Sequence, residues 1–194
     1  MSFFKKLFNL ASSKDEEIKE QEVNLSLDDA FVHSFIQKGG KFLYCISTNE
    51  LKNNLNNVLV ENNWNKITCL NTDISNLVDH ASIEVSSEFN NATPFFTNCE
   101  HLISDCGDVL FSSNQLGSKK LASLTKDFIV YARTSQIVKN TGQGLTGIKA
   151  NFKENIPTNI SAVKNYQINP EEDNFLNYGN SNTKNLYLLL LEDL

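Results

Sequence analysis

The sequence predicts an α/β fold built on a mostly parallel sheet with helices on both faces. Three observations carry that reading. From Leu27 onward, short apolar runs alternate with segments of helical periodicity, a spacing that suits parallel strands joined by crossover helices. The run Leu186–Leu191 is apolar at every position, as a central strand buried on both sides requires. At 194 residues, 40% hydrophobic and 21% charged, the chain has the length and composition of one soluble domain with a real core.

Residues 1–24 are expected to form an N-terminal amphipathic segment and a charged linker, and 25–194 a single α/β domain. Phe3, Phe4, Leu7, Phe8 and Leu10 surround Lys5 and Lys6, one or two turns of amphipathic helix. Residues 1–10 would make a weak contact with a membrane surface or partner, or dock on their own domain. Ser12–Gln21 is charged without an apolar stripe. Ala30, Phe31, Val32, Phe35 and Ile36 then give a helical stripe that Gly39-Gly40 ends, since a helix stop commonly needs positive φ. Lys41–Ile46 reads as a buried strand, and Ser47-Thr48-Asn49 as caps for a helix carrying Leu51, Leu55, Val58 and Leu59. Lys66–Leu70 is the next strand, Asp73–Val78 a helical turn or two, and Ala81–Val85 a further strand.

A polar connection containing Pro94 leads to the strand Leu102–Ile103. Val109–Ser112 is its hairpin partner across the Gly107 turn, which makes part of the sheet antiparallel. Asp127–Ala132 is a strand, and Thr134-Ser135 would cap a helix containing Ile137 and Val138. Gly142-Gln143-Gly144-Leu145-Thr146-Gly147 spells G-x-G-x-x-G but does not begin at a strand end, so it reads as a glycine-rich loop and not a dinucleotide site. Asn159–Val163 is a strand candidate, Pro170–Tyr178 a polar, acidic connection, and Leu186–Leu191 the last strand.

Composition excludes several functions. A net charge of −6 argues against a nucleic-acid surface, and no apolar run reaches the roughly 20 residues of a membrane span. Cys45, Cys69, Cys99 and Cys106 show no C-x-x-C pairing, so a reduced, cytoplasmic protein is expected. Cys99, His101 and Cys106 match no zinc-ligand spacing and lack a fourth ligand, so no metal is expected.

Three segments resemble the LUD domain family, the lactate-utilisation proteins of the LutC/YkgG type. Leu102-Ile103-Ser104-Asp105-Cys106-Gly107-Asp108-Val109-Leu110 occupies the family pattern of a strand, a small polar residue, Thr-Gly-Thr and a second strand, with Cys106 and Asp108 replacing the threonines. Phe128-Ile129-Val130-Tyr131 followed by Gln136-Ile137-Val138 matches a strand and its Gln-Ile-Val sequel. Asn182–Asp193 matches a polar loop running into a hydrophobic strand with an acidic end. The family's Gly-Pro-Ser-x-Thr-Ala-Asp segment is absent, and Asn165–Tyr178 stands in its place. The resemblance spans roughly Leu25 to Asp193. It implies a three-layer α/β/α architecture similar to the NagB/RpiA/CoA-transferase-like fold, a link to lactate or organic-acid utilisation, and iron–sulfur protein partners.

Asp105 and Asp108 bracket Cys106-Gly107. Two neighbouring carboxylates can split their pKa values and serve as acid and base, and Cys106 is a nucleophile if activated. Asp and Gly are equally what a tight turn prefers. Arg133, the only arginine, opens Arg133-Thr134-Ser135 at the carboxyl end of a strand, where α/β sheets gather ligands and a guanidinium can clamp an anion. Thr183 and Lys184 form a second polar loop with a cation, but they precede their strand and so belong to the opposite edge of a parallel sheet. The candidate set is therefore Asp105, Cys106 and Asp108 for catalysis, with Ser104, Gly107, Arg133, Thr134, Ser135, Thr183 and Lys184 for ligand binding. The leading expectation is a domain that binds a small anionic metabolite, a carboxylate or phosphorylated compound, near the Asp105–Asp108 turn. The alternatives are an isomerase or acyl-transfer enzyme using Asp105 or Asp108, and a non-catalytic interaction scaffold. The sequence specifies neither a cofactor nor an oligomeric state.

Overall fold

The apolar run at 186–191 lies in β10 (Asn185–Leu191), held between β1 (Lys41–Cys45) and β7 (Asp127–Arg133). The computed structural model describes residues 25–166 and 182–193. The expectations for residues 1–24 and for Pro170–Tyr178 lie outside the described residues. Beyond β7 come β4 (Phe95–Asn98), β2 (Lys66–Thr68) and β3 (Glu84–Ser86), giving a six-stranded sheet in the order β1-β10-β7-β4-β2-β3. Every pairing in it is parallel.

Parallel strands need crossovers, and these cover both faces. Successive side chains alternate across the sheet, so Phe128, Val130, Leu186 and Leu188 face one way, toward Phe31 and Phe35 of α1 (Leu27–Gln37). Ile129 and Leu189 face the other way, toward Leu51, Leu55 and Leu59 of α2 (Thr48–Glu61) and Ile74 of α3 (Thr72–Ser75). Full burial of each such side chain contributes about 1.5–3 kcal/mol. The buried middle positions of the central strands, 128–130 of β7 and 186–190 of β10, are therefore all apolar, while at the β3 edge Glu84 stays exposed and Lys66 pairs with it at 2.6 Å.

The α1 side carries a second, smaller sheet. β5 (His101–Ile103) and β6 (Asp108–Phe111) form the expected antiparallel hairpin, flanked by β8 (Ile137–Val138) and β9 (Ser161–Val163). Between β6 and β7 lies the short helix α4 (Ser113–Leu116), and α5 (Thr141–Phe152) packs on the small sheet. The arrangement is three-layered α/β/α on a parallel central sheet. Among the described residues no helix is long and apolar enough to cross a membrane.

Three local expectations are corrected. Phe95–Asn98, read as part of a polar connection, is an internal strand whose Phe95 and Phe96 are fully buried. Ile137-Val138 is a strand and not a helix: Thr134–Gln136 makes one 3₁₀ turn, and the β-branched pair then aligns with Leu102 and Ile103. The glycine-rich stretch 142–147 is helical. Asn140 caps it by accepting from the Gln143 N–H at 3.0 Å, and Gly144 lets the helix approach Ile103 and Leu110, where an added Cβ would sit 3.3–3.4 Å from their methyls.

Candidate functional site

The Ser104–Asp108 turn is built from structural contacts. The Ser104 hydroxyl donates to the Leu27 carbonyl at 2.7 Å, and the Asp105 N–H donates to the Lys139 carbonyl at 2.9 Å. Gly107 has φ +68 and lies so close to α1 that a Cβ would sit 2.5 Å from the Phe35 backbone nitrogen. Its carbonyl accepts from the buried Tyr166 hydroxyl at 2.6 Å. Asp108 is buried and ion-paired with Lys38 at 2.7 Å. Asp105 is exposed, and burial raises the Cys106 thiol above its ordinary value, which disfavours the thiolate a nucleophile needs. The turn thus fastens the hairpin to α1 at both ends of the helix, Ser104 to Leu27 and Gly107 and Asp108 to Phe35 and Lys38.

Lys184 is also occupied. It is buried just ahead of β10, and its ammonium donates to the carbonyls of Leu124 at 3.0 Å and Thr125 at 2.9 Å, 5.1 Å from the centre of the Phe128 ring. Burial, with a smaller effect from the Lys126 charge, lowers its pKa to about 8. Thr183 lies half-buried beside it. Both residues sit at the amino edge of the parallel sheet, opposite Arg133.

The carboxyl edge is where polar groups converge. Arg133, Thr134 and Ser135 leave β7 there, and Asp193 follows β10 on the neighbouring strand. The Asp193 carboxylate accepts from the Thr134 hydroxyl at 2.9 Å, the Ser135 N–H at 2.9 Å and the Ser135 hydroxyl at 2.7 Å. Desolvation pushes this carboxyl up, but the Ser135 and Thr134 hydrogen bonds and the Arg133 charge outweigh it and lower its pKa. The Thr134–Ser135 cradle therefore already holds a carboxylate, the chain's own.

Arg133 remains open. It is exposed, and its Nε donates to the Tyr131 hydroxyl at 2.9 Å, the main cause of its raised pKa. Its terminal nitrogens make no hydrogen bond among the described residues, leaving a planar pair of donors of the kind that grips a carboxylate or phosphate.

Two further residues complete the edge, and the sequence reading did not single out either as a site residue. Gln136 accepts from the Arg133 N–H at 2.8 Å and donates to the carbonyls of Cys99 at 2.7 Å and Glu100 at 3.3 Å, joining the ends of β7 and β4. Glu100 follows β4 and receives Ser112, Asn114 and Gln115. Gln136 stood in the quoted Gln-Ile-Val match and Asp193 at the acidic end of the last one. Glu100 had only its place beside a strand end as a signal.

Among the described residues no group of three or more His, Cys, Asp or Glu side chains is placed to hold a metal ion. Cys99 is buried, and His101 Nδ1 lies 3.2 Å from the Gln136 carbonyl oxygen.

A family model described as the LUD domain matches residues 29–191. The chain is also similar to the crystal structure of a DUF162 family protein from Deinococcus radiodurans, with a TM-score of 0.61 and 14% identity over 87% of this chain and 99% of that one. At that identity the likeness shows the fold. A comparison with curated proteins found no match.

Proposed function

This chain belongs to the LUD domain family, and from that premise we propose that it binds a small organic anion at the carboxyl edge of its parallel sheet, with Arg133 as the clamp. The observation that carries the reading is the guanidinium fork of the exposed Arg133: Nε is held by Tyr131, and among the described residues the terminal nitrogens have no hydrogen-bond partner. The position supports it, because parallel α/β sheets bind ligands outside the carboxyl ends of their strands. The family's link to lactate and organic-acid utilisation points to a carboxylate over a phosphorylated compound, and to iron–sulfur proteins as the partners such a domain would serve.

Compared with the Asp105–Asp108 turn, the edge has capacity to spare. The turn's carboxylate at 108 is neutralised by Lys38, so a base there would first have to give up a part-buried ion pair. The reading is tested by titrating the protein with short monocarboxylates and following backbone amide shifts. Binding should appear at Arg133–Gln136, weaken in Arg133→Lys, which keeps charge but loses the fork, and vanish in Arg133→Gln. Undiminished binding in Arg133→Gln, or shifts confined to 104–108, would refute it.

A further inference from the structure

The β3 end of the sheet carries a cavity of about 500 Å³, within the size range of small-molecule sites. Its floor is the α1 side of β2 and β3. Side chains alternate along a strand, so Lys66 and Ser86 turn away from Ile67 and Val85, which pack on the α2 side. One wall is the stretch 88–91 after β3, and the other is the stretch 119–124 ahead of β7. Both walls are tied down from behind. The buried Thr68 hydroxyl lies 2.9 Å from that of Thr93, and between them they reach the carbonyls of Glu88 at 3.3 Å and Asn90 at 3.1 Å. Across the cavity Leu121 and Leu124 are buried in the core, and Asn159 donates to the Lys119 carbonyl at 2.7 Å.

The lining has hydrogen-bonding capacity that the fold does not use. Lys66 is held by Glu84 at 2.6 Å, while Lys119 makes no ion pair among the described residues. Asn90 accepts from the Ala92 N–H through Oδ1 at 2.9 Å, and its Nδ2 has no partner among the described residues. The Glu88 carboxylate and the Asn91 amide have none there either. Phe89, half-buried and packed on Phe95 with ring centres 5.0 Å apart, adds an apolar surface beside these polar groups.

We infer that this cavity is a second binding site, for a phosphorylated sugar, with Lys66 and Lys119 on the phosphate and Glu88, Asn90 and Asn91 on the hydroxyls. Ammonium groups attract a phosphate as point charges. Amides and a carboxylate together supply the donors and acceptors that hydroxyls need, and the Phe89 ring covers an apolar face of the sugar. A bare phosphate would leave the amides idle and meet like charge at Glu88. An apolar ligand would strand most of the lining. The inference goes beyond the Arg133 reading and shares no residue with it. Tyr131 packs on the α2 side and Arg133 lies two residues further along the same strand, so that edge and this cavity lie on opposite faces of the sheet.

The test titrates the full chain with glucose 6-phosphate, glucose and inorganic phosphate in turn and follows backbone amide shifts. Glucose 6-phosphate should shift 86–91 and 119–124. Each fragment should bind at least about tenfold more weakly, since each forfeits two or more hydrogen bonds. Lys119→Ala, at an exposed position, should lower affinity for glucose 6-phosphate about fivefold, the upper end for an exposed ion pair, and leave glucose unaffected. Asn91→Ala, also exposed, should weaken glucose 6-phosphate and glucose by a common factor and spare phosphate. Arg133→Gln should leave the glucose 6-phosphate shifts at 86–91 and 119–124 unchanged. Absence of those shifts in the wild type overturns the assignment. So does glucose 6-phosphate bound no tighter than inorganic phosphate, or an affinity untouched by both Lys119→Ala and Asn91→Ala. None of these outcomes bears on the monocarboxylate reading, which is decided at Arg133–Gln136 alone.

Discussion

Arg133 and Lys184 flank the same central pair of strands from opposite ends, and they meet opposite fates. Lys184, at the amino edge, is buried with its ammonium on two backbone carbonyls and an aromatic ring. Arg133, at the carboxyl edge, is exposed, and among the described residues its guanidinium donates only through Nε. The Ser104–Asp108 hairpin resembles Lys184 in this respect, its buried carboxylate already paired. A charged side chain marks a binding site by the hydrogen-bonding capacity it has left, and a charge already satisfied holds the fold together instead. Substitutions in the two regions should therefore split cleanly between stability and binding.

The largest effect is expected at Gly107. Valine there must adopt φ near +68 and place its Cβ 2.5–2.9 Å from the Ser34 and Phe35 backbone, and neither can yield as a flexible side chain would. Gly107→Val should cost upwards of about 4 kcal/mol, read from the urea midpoint. Lys184→Met comes next. It strands the Leu124 and Thr125 carbonyls, a loss of about 2–4 kcal/mol at neutral pH, while the protein that remains folded keeps its affinity for anions. Burial holds Lys184 at about 8 against an ordinary 10.5. Across that window the unfolded chain keeps a proton that the folded chain has released, so stability from this group rises with pH. The deficit of Lys184→Met relative to wild type should be flat below about pH 8 and widen from there toward 10.5. A constant difference across the window would place the lysine in a wetter setting than the one described.

How much of this was legible follows from how local each signal is. Leu186–Leu191 and Asp127–Ala132 announce buried strands by composition, and Gly39-Gly40 marks its helix stop, with Gly39 at φ 87. Phe95–Asn98 gave no such sign: two of its four residues are polar, and Thr97 is buried only because β7 and β2 close around it. The helix over 141–152 hid behind its glycines, whose missing side chains let it rest on Ile103 and Leu110, a demand that arises only once the sheet exists. At the site, Arg133 stood out as the only arginine, at the end of a strand. The Asp193 contacts with Thr134 cross 59 positions, and no spacing rule connects residues so far apart. The turn itself was legible from its Asp and Gly content, but what fastens it is long-range, Ser104 to Leu27, Tyr166 to Gly107 and Lys38 to Asp108, and nothing in the sequence announced those partners.

At the carboxyl edge the contrast reverses. Arg133→Gln should change stability by no more than about 0.5 kcal/mol, as at other exposed positions, while abolishing anion binding. The smallest and most informative change is Asp193→Asn. Asparagine keeps an oxygen for the Thr134 hydroxyl and the Ser135 N–H, so the cradle stays closed, but the negative charge beside Arg133 is gone. An incoming carboxylate then feels the guanidinium without the competing field of the chain's own. At an exposed site such a charge is worth about 0.5–1 kcal/mol, so affinity for a monocarboxylate should rise about two- to fivefold, with the gain shrinking as salt screens the interaction. An affinity that falls instead would mean that Asp193 helps to hold the ligand. The boundary between satisfied and spare charge at this edge would then run through Asp193 and not through Arg133.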